Sequence, residues 1–345
     1  MPQAPKISDI AREAGVSTAT VDRVLNKRPG VRQATTTRVL RAAAALDYLP
    51  ATISPSQTPF ARPRPMRLSF LLPTGSNRYI RMLADMVSTS REHWEALNVR
   101  CRTEFIESFN PLELAAALRR HGQHADGIAL MALEHPAVRE AVGELAAAGV
   151  HVVTLISDLS NSPRAAYLGL DNRAAGRTAG YLIGRFIGAR AAKVALIAGS
   201  RSYNAHVERE AGFLSVIDEL FPQLTVVGLR EGQDDAQQNF EQTRALLRQH
   251  PQLAGIYNIG GASDGIARAL TEAGRARPVV LIGHGLTPDT RALLISGGMD
   301  AVITQSPQAA VLNCARIFVN LREHRQPHAG MEITRGQVIF RENLP

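Results

Sequence analysis

From residue 66 onward, short apolar runs alternate with longer segments of helical spacing, and this alternation constrains the fold more than any other feature. The pattern predicts strands at 67–72, 99–106, 127–133, 151–156, 194–198, 224–229, 255–259, 279–283, 300–304 and 333–340. Between most of them it predicts helices, over 78–97, 136–148, 172–188, 204–220, 236–249 and 307–323. Strands that alternate with helices pair in parallel, and the helices cover both sheet faces. Residues 66–345 exceed what one sheet usually organises, so two α/β lobes are expected. Such sheets bind ligands at the carboxyl ends of their strands, which makes the cleft between lobes the expected pocket.

An enzyme of this class needs its own chemical signature. No Gly-x-Gly-x-x-Gly follows a strand, and neither a Walker lysine loop nor a Gly-x-Ser-x-Gly elbow occurs. The run Gly260-Gly261-Ala262-Ser263-Asp264-Gly265 lacks lysine and has the wrong spacing, so it reads as a tight strand-to-helix turn. His121 and His124 read as a solvated turn, and His135 before Pro136 as loop entry to a helix. Two cysteines, Cys101 and Cys314, exclude a disulfide framework and a four-thiolate zinc site. The expectation is a non-enzyme without metal or cofactor. No run of about 18 apolar residues is present and the first residues lack a signal-peptide core, so a cytoplasmic protein without membrane contact is expected.

Charge is unevenly placed. Residues 1–65 carry ten Lys and Arg against four Asp and Glu, whereas the whole chain carries 39 against 31. A basic module on a nearly neutral body points to a polyanionic partner. The module is patterned. Ile7, Ile10, Ala11 and Ala14 form one helical stripe, with Ser8 as its expected cap and Gly15 as its stop. Ser17 caps a second helix over 18–26, whose buried face is Val21, Val24 and Leu25. Val39, Leu40, Ala43 and Leu46 mark a third helix near 33–47. Two short helices joined by a glycine turn read as a helix-turn-helix, although a generic three-helix bundle shares the pattern.

The residues decide between the two. Ile7-Ser8-Asp9-Ile10-Ala11-Arg12-Glu13-Ala14-Gly15-Val16-Ser17, then Thr20-Val21-Asp22-Arg23-Val24-Leu25-Asn26 and Leu46-Asp47-Tyr48-Leu49-Pro50, resembles the head of the lactose-repressor (LacI–GalR) family. The resemblance implies that Thr18 and Ala19 choose bases and that Arg23 reads a guanine, which suits a bidentate guanidinium. It implies that Ser17, Asn26 and Thr35 match or lie near phosphate contacts. Asp22 departs from the family's serine; a carboxylate there repels phosphate and is expected to hold a nearby arginine instead.

Residues 50–65 contain five prolines, which mark a linker. The family's hinge helix, with its minor-groove leucine, is not matched. Pro55 interrupts it and Gln57 stands where the leucine belongs. Either Ile53 or Phe60 takes the wedge role or the chain has none.

The body also resembles that family, and the periplasmic sugar-binding proteins that share its core. The marks are Asn77-Arg78-Tyr79, Thr154-Leu155-Ile156-Ser157-Asp158, Gly169-Leu170-Asp171-Asn172 with Ala175-Gly176, Glu208 to Phe213, and Val302 to Pro307. The implied organisation is an α-helical helix-turn-helix headpiece (1–50), a linker (51–65) and an α/β two-lobed periplasmic-binding-protein-like core (66–345). The N-lobe covers about 66–170 and 304–326, the C-lobe about 171–303 and 327–342, hinged by three crossovers. The matched positions imply an effector pocket of Asn77, Arg78, Tyr79, Asp158, Arg209, Asn258, His284 and Gln305. The acidic positions usual after two C-lobe strands are Gly260 and Gly285 here.

These features lead to a ligand-responsive regulator, a homodimer on a near-palindromic double-stranded DNA operator, by family default a repressor. Its effector is expected to be a sugar or polyol. The arginines Arg78 and Arg209, without the two acids, keep a sugar acid or sugar phosphate open, while Asp158 argues for a neutral ligand. The rival reading, a solute-binding protein of transport, requires an export signal and no basic headpiece.

Overall fold

The computed structural model describes residues 5–26, 28–46, 48, 64–275, 279–332 and 334–345, apart from the side chains of Gln33 and Ala44. The chain divides into two compact units, Met1–Pro65 and Met66–Pro345. Most of the predicted linker, with Ile53, Pro55, Gln57 and Phe60, lies outside the described residues.

The first unit is three helices, α1 (Ile7–Ala14), α2 (Thr18–Leu25) and α3 (Gln33–Ala45). Their apolar stripes meet in one core that includes Ile10, Ala14, Val21, Val24, Leu25 and Val39. Gly15 ends α1 with φ 61° and ψ 43°, a left-handed conformation that glycine adopts without strain. Ser17 then caps α2, its hydroxyl accepting from the Thr20 N–H at 3.2 Å. Ser8 is not the cap of α1. The helix already starts at Ile7, because the Asp9 carboxylate reaches back to accept the Lys6 N–H at 2.9 Å.

The second unit holds two sheets. The first runs β2–β1–β3–β4–β5, all parallel, from Met66–Pro73 (β1), Val99–Ile106 (β2), Gly127–Leu130 (β3), His151–Leu155 (β4) and Ala166–Leu168 (β5). Its helices are α4 (Arg78–Thr89), α5 (Arg91–Ala96), α6 (Pro111–Gly122) and α7 (Pro136–Ala147). The second runs β11–β10–β9–β8–β6–β7, from Ala192–Ala198 (β6), Leu224–Glu231 (β7), Leu253–Asn258 (β8), Val280–His284 (β9), Ala301–Thr304 (β10) and Gln337–Ile339 (β11). Only β11 is antiparallel to its neighbour. The accompanying helices are α8 (Asn172–Ile187), α9 (Asn204–Leu220), α10 (Ala236–Gln249), α11 (Ser263–Glu272) and α12 (Pro288–Ser296). The last helix, α13 (Pro307–Arg322), returns to the first sheet and buries Val311, Cys314 and Phe318 in its core.

The long helix predicted over 78–97 is two helices. Ser88 and Thr89 turn their hydroxyls onto the carbonyls of Ala84 and Asp85, and the buried Trp94 donates its indole N–H to Val87 O at 2.8 Å. These bonds satisfy the end of α4 and fold the chain back into α5.

Helices α8 and α9 touch backbone to backbone. A Cβ at Gly176 would lie 2.0 Å from Arg209 O, and one at Gly212 would lie 2.0 Å from Arg173 O. Glycine at both positions is therefore what lets α9 approach α8. Gly176→Ala should destabilise the fold by about 1–3 kcal/mol through overpacking, read as a lowered urea midpoint. Gly143, in α7, faces open space. Gly143→Ala should instead stabilise by about 0.4–1 kcal/mol, so the same denaturation series should give opposite signs at the two glycines.

Candidate functional sites: an exposed helix and an inter-lobe cleft

On α2, the buried Val21, Val24 and Leu25 turn the other face outward. Ser17, Thr18, Ala19, Arg23 and Asn26 are all exposed. The Arg23 side chain makes no ion pair or hydrogen bond among the described residues, so its guanidinium is free to reach a base edge. Asp22 does hold an arginine, Arg28, at 3.3 Å, and its other oxygen accepts from the Asn26 amide at 2.7 Å. The Asn26 amide is thus tied to a carboxylate on its own helix.

In the second unit, the strand ends of both sheets face a cleft with a cavity of about 590 Å³, within the usual range for small-molecule sites. Of the eight residues expected there, Asn77, Arg78, Tyr79, Arg209, His284 and Gln305 line it. Asn77 caps α4 through Tyr79 N at 3.1 Å. Tyr79 donates its hydroxyl to Gln305 O at 3.1 Å and packs over Gly285, where a Cβ would come within 3.3 Å. Arg209, only 6 % exposed, donates Nε–H to Asn172 Oδ1 at 2.8 Å and Nη1–H to Ile259 O at 2.9 Å. The His284 Nε2 and the Tyr257 hydroxyl share a hydrogen bond of 2.7 Å.

Two expected residues are committed elsewhere. The Asp158 carboxylate is gripped by the Arg164 guanidinium and accepts from Thr154 Oγ1 at 2.6 Å and Leu159 N at 2.8 Å. It does not line the cavity and neutralises Arg164 rather than Arg209. Asn258 is wholly buried and donates to Gly261 O and Ser263 Oγ, each at 2.8 Å, bracing the turn before α11. Arg78 is at the cavity wall but is no free cation, being paired with Asp289 at 2.6 Å.

The sequence pattern also missed residues. Asp234, in the loop that follows β7, is 8 % exposed and accepts from Asn77 Nδ2 at 2.9 Å and Gly261 N at 2.7 Å. Its carboxylate fills the space a side chain at 260 would need, since a Cβ there would lie 2.2 Å from Asp234 Oδ1. At 285 the backbone has φ 78° and Tyr79 sits against it, which leaves no room for an acid. Asn172, Asp289 and His206 complete the set. Asn172 lies in a stretch already matched to the family, whereas the signal of Asp289 and His206 in the sequence is a polar residue near a helix start.

Burial keeps the histidine and tyrosine side chains of the site neutral. Desolvation, then the Arg209 charge, pushes His284 well below the usual histidine range. Desolvation likewise lowers His206, against the opposing pull of Asp234. Tyr79, Tyr167 and Tyr257 are raised by burial and stay protonated. No group of three or more His, Cys, Asp or Glu suited to a metal occurs among the described residues, and no described helix is long and apolar enough to cross a membrane.

A basic helix-turn-helix and a two-lobed cleft in one chain define a DNA-binding regulator with a ligand-binding core. Residues 6–51 match bacterial regulatory proteins of the lacI family, and residues 69–326 match a periplasmic binding protein domain. The chain thus carries a lacI-family helix-turn-helix domain, and through its core it belongs to the periplasmic binding protein domain family. It is 27% identical to the ribose operon repressor of Halalkalibacterium halodurans, over 84% of this chain and 80% of that one. It is 26% identical to the repressor PurR of Actinobacillus pleuropneumoniae, over 81% and 80%. The fold is similar to GanP, a glucose-galactose binding protein from Geobacillus stearothermophilus, with TM-score 0.71 and 22% identity over 81% of this chain and 99% of that one. It is also similar to a solute binding protein of Agrobacterium radiobacter in complex with D-arabinose, with TM-score 0.73 and 17% identity over 81% and 95%. The family and the relatives named here are regulators and binding proteins.

Arg23→Ala should cost about 1–3 kcal/mol on a cognate operator and relax selectivity at one base pair, measured by anisotropy on single-base operator variants. An equal loss on random DNA would mark a phosphate contact instead. Asp22→Ser frees Asn26 and removes a carboxylate from the exposed face. It should tighten binding to operator and random DNA alike, by roughly threefold to tenfold at low salt.

Proposed function

We propose that this protein is a repressor that binds a near-palindromic operator as a homodimer in the cytoplasm and senses a sugar or sugar-like molecule in the cleft. Residues 1–50 act as the reading headpiece, 51–65 as the linker, and 66–345 as the effector and dimerisation core. Within the core, the N-lobe is about 66–170 with 304–326 and the C-lobe about 171–303 with 327–342. The observation that carries the reading is α2, whose exposed face presents Thr18, Ala19 and an unpaired Arg23 in the same chain as a cleft floored by Arg209 and Gln305. The repressor names of the relatives support the sign, and the sugar-binding neighbours support the ligand class. Asn77, Tyr79, Arg209, His284 and Gln305 are the proposed effector contacts. A ligand that bridges both lobes binds one lobe arrangement better than another and thereby biases the DNA-competent state.

The alternative, a transport-type solute-binding protein, is disfavoured by the helix-turn-helix. Selection of bound fragments from random DNA, followed by anisotropy with and without added sugars, separates the two. The regulator should enrich a two-fold symmetric site, and affinity should fall about 10³–10⁵-fold between 50 and 200 mM salt if 6–10 phosphates are contacted. Deleting one half-site should weaken binding at least tenfold. Failure to enrich any sequence would overturn the regulatory reading.

A further inference from the structure

We infer that the ligand of this cleft carries an oxyanion, a carboxylate or phosphate on a hydroxylated skeleton, that lies against Arg209. The inference rests on the reading of the cleft as the effector site and narrows the class of effector.

The cation is buried and has no anion. Arg209 spends two of its N–H groups on neutral acceptors, Asn172 Oδ1 and Ile259 O, and makes no ion pair among the described residues. The nearby carboxylates are all engaged or outlying. Asp158 is paired with Arg164, and Asp289 with Arg78. Asp234 has one oxygen on Asn77 and the other on Gly261 N. Glu208, the chain neighbour of Arg209, accepts from Asn204 at 3.3 Å. Asp85 and Asp264 line the cavity but are exposed to water. A buried charge without a partner is costly, and a guanidinium fork matches a carboxylate or phosphate bidentately.

A second observation comes from Gln305. It lines the same cavity, is 7 % exposed, and its Oε1 is buried without a partner. No described residue bonds its side-chain amide, so a ligand supplies the missing partner. An unmet amide acceptor calls for a hydroxyl donor, and an unmet guanidinium calls for an oxyanion. One hydroxylated acid or phosphate ester answers both. Arg78 no longer counts toward this charge, and Asp158 no longer counts against it, because both are neutralised by other side chains.

The test uses the purified full-length chain in a zwitterionic buffer. Thermal melts are followed with acetate and with inorganic phosphate, each against chloride at equal ionic strength. Calorimetry compares D-gluconate and D-glucose 6-phosphate with D-glucose. Acetate or phosphate should give a saturable rise in Tm that chloride does not, and whichever arm saturates assigns the group as carboxylate or phosphate. The matching glucose derivative should bind at least tenfold tighter than D-glucose. Arg209→Lys should weaken it about tenfold, and Arg209→Gln should abolish the anion response. The inference is overturned if neither oxyanion exceeds chloride, if D-glucose, D-ribose or D-allose binds as tightly as the anions, or if the response survives in Arg209→Gln. The wild-type comparisons decide even if Arg209→Gln does not fold. Loss of operator binding with anion binding intact would strike the regulatory reading alone; operator release by a neutral sugar without an anion response would strike this inference alone.

Discussion

The buried guanidinium of Arg209 is the group on which the core's architecture turns. To reach the cleft it needs α9 pressed against α8, and that contact exists because Gly176 and Gly212 bring the two backbones together. To remain charged there it needs acceptors, which Asn172 Oδ1 and Ile259 O provide. Hydrogen bonds to a charged group contribute about 1.5–3 kcal/mol each, against a desolvation cost of several kcal/mol per buried ion. The protein alone therefore brings the cation close to balance and leaves the rest to whatever enters the cavity. The same charge sets its surroundings. His284 and His206 are held neutral and Tyr79, Tyr167 and Tyr257 protonated, so these side chains offer donors and neutral acceptors around the Arg209 charge.

Much of this was legible in the sequence where the signal is periodic. The stripes of the headpiece and most strands of the core are long enough to repeat, and the observed α1, α2, β1, β2, β6 and α9 follow them within a few residues. The three-residue β5 is too short to show a period. Helices α6, α11 and α12 lie in segments the alternation left unassigned; each begins at a local turn or cap, at Asn110, Ala262 and Thr287. The split at Ser90 depends on Trp94 reaching Val87 O, a contact that periodicity does not encode.

The cleft was legible only in part, for a related reason. A residue at a strand end is placed by its own strand, but its availability depends on neighbours from other segments. Asn77, Tyr79, Arg209 and Gln305 fall where their strand and helix ends put them. Asp158 was removed from the site by Arg164, six residues on, and Asn258 by the turn it braces. The carboxylate missing at Gly260 and the one present at Asp234 are the same space filled from a different strand. Counting acids along one strand end cannot reveal that exchange, whereas the glycine at 260 records it once the fold is known.

The bonds across the cleft bear on how a ligand could move the lobes. Ser76 donates to Asp234 O at 2.8 Å and Asn77 to Asp234 Oδ2 at 2.9 Å. Arg78 pairs with Asp289, and Glu134 N donates to Ser202 O at 2.8 Å. Tyr203 crosses as well, packing edge-on against Phe109 at 5.6 Å between ring centres inside the first lobe's core. The cores of the two lobes are otherwise separate clusters. Neutral hydrogen bonds contribute about 0.5–1.5 kcal/mol each, the one to the Asp234 carboxylate about 1.5–3 kcal/mol, and a partly exposed ion pair about 0–1 kcal/mol. The bridging set is therefore worth a few kcal/mol, within the differential binding energy that one small ligand supplies. Asn77 is the place where the two energies meet. It caps α4, lines the cavity and holds Asp234. A ligand that competes for the Asn77 amide acts on the lobe bridge directly, without a relay of side chains between the pocket and the moving parts.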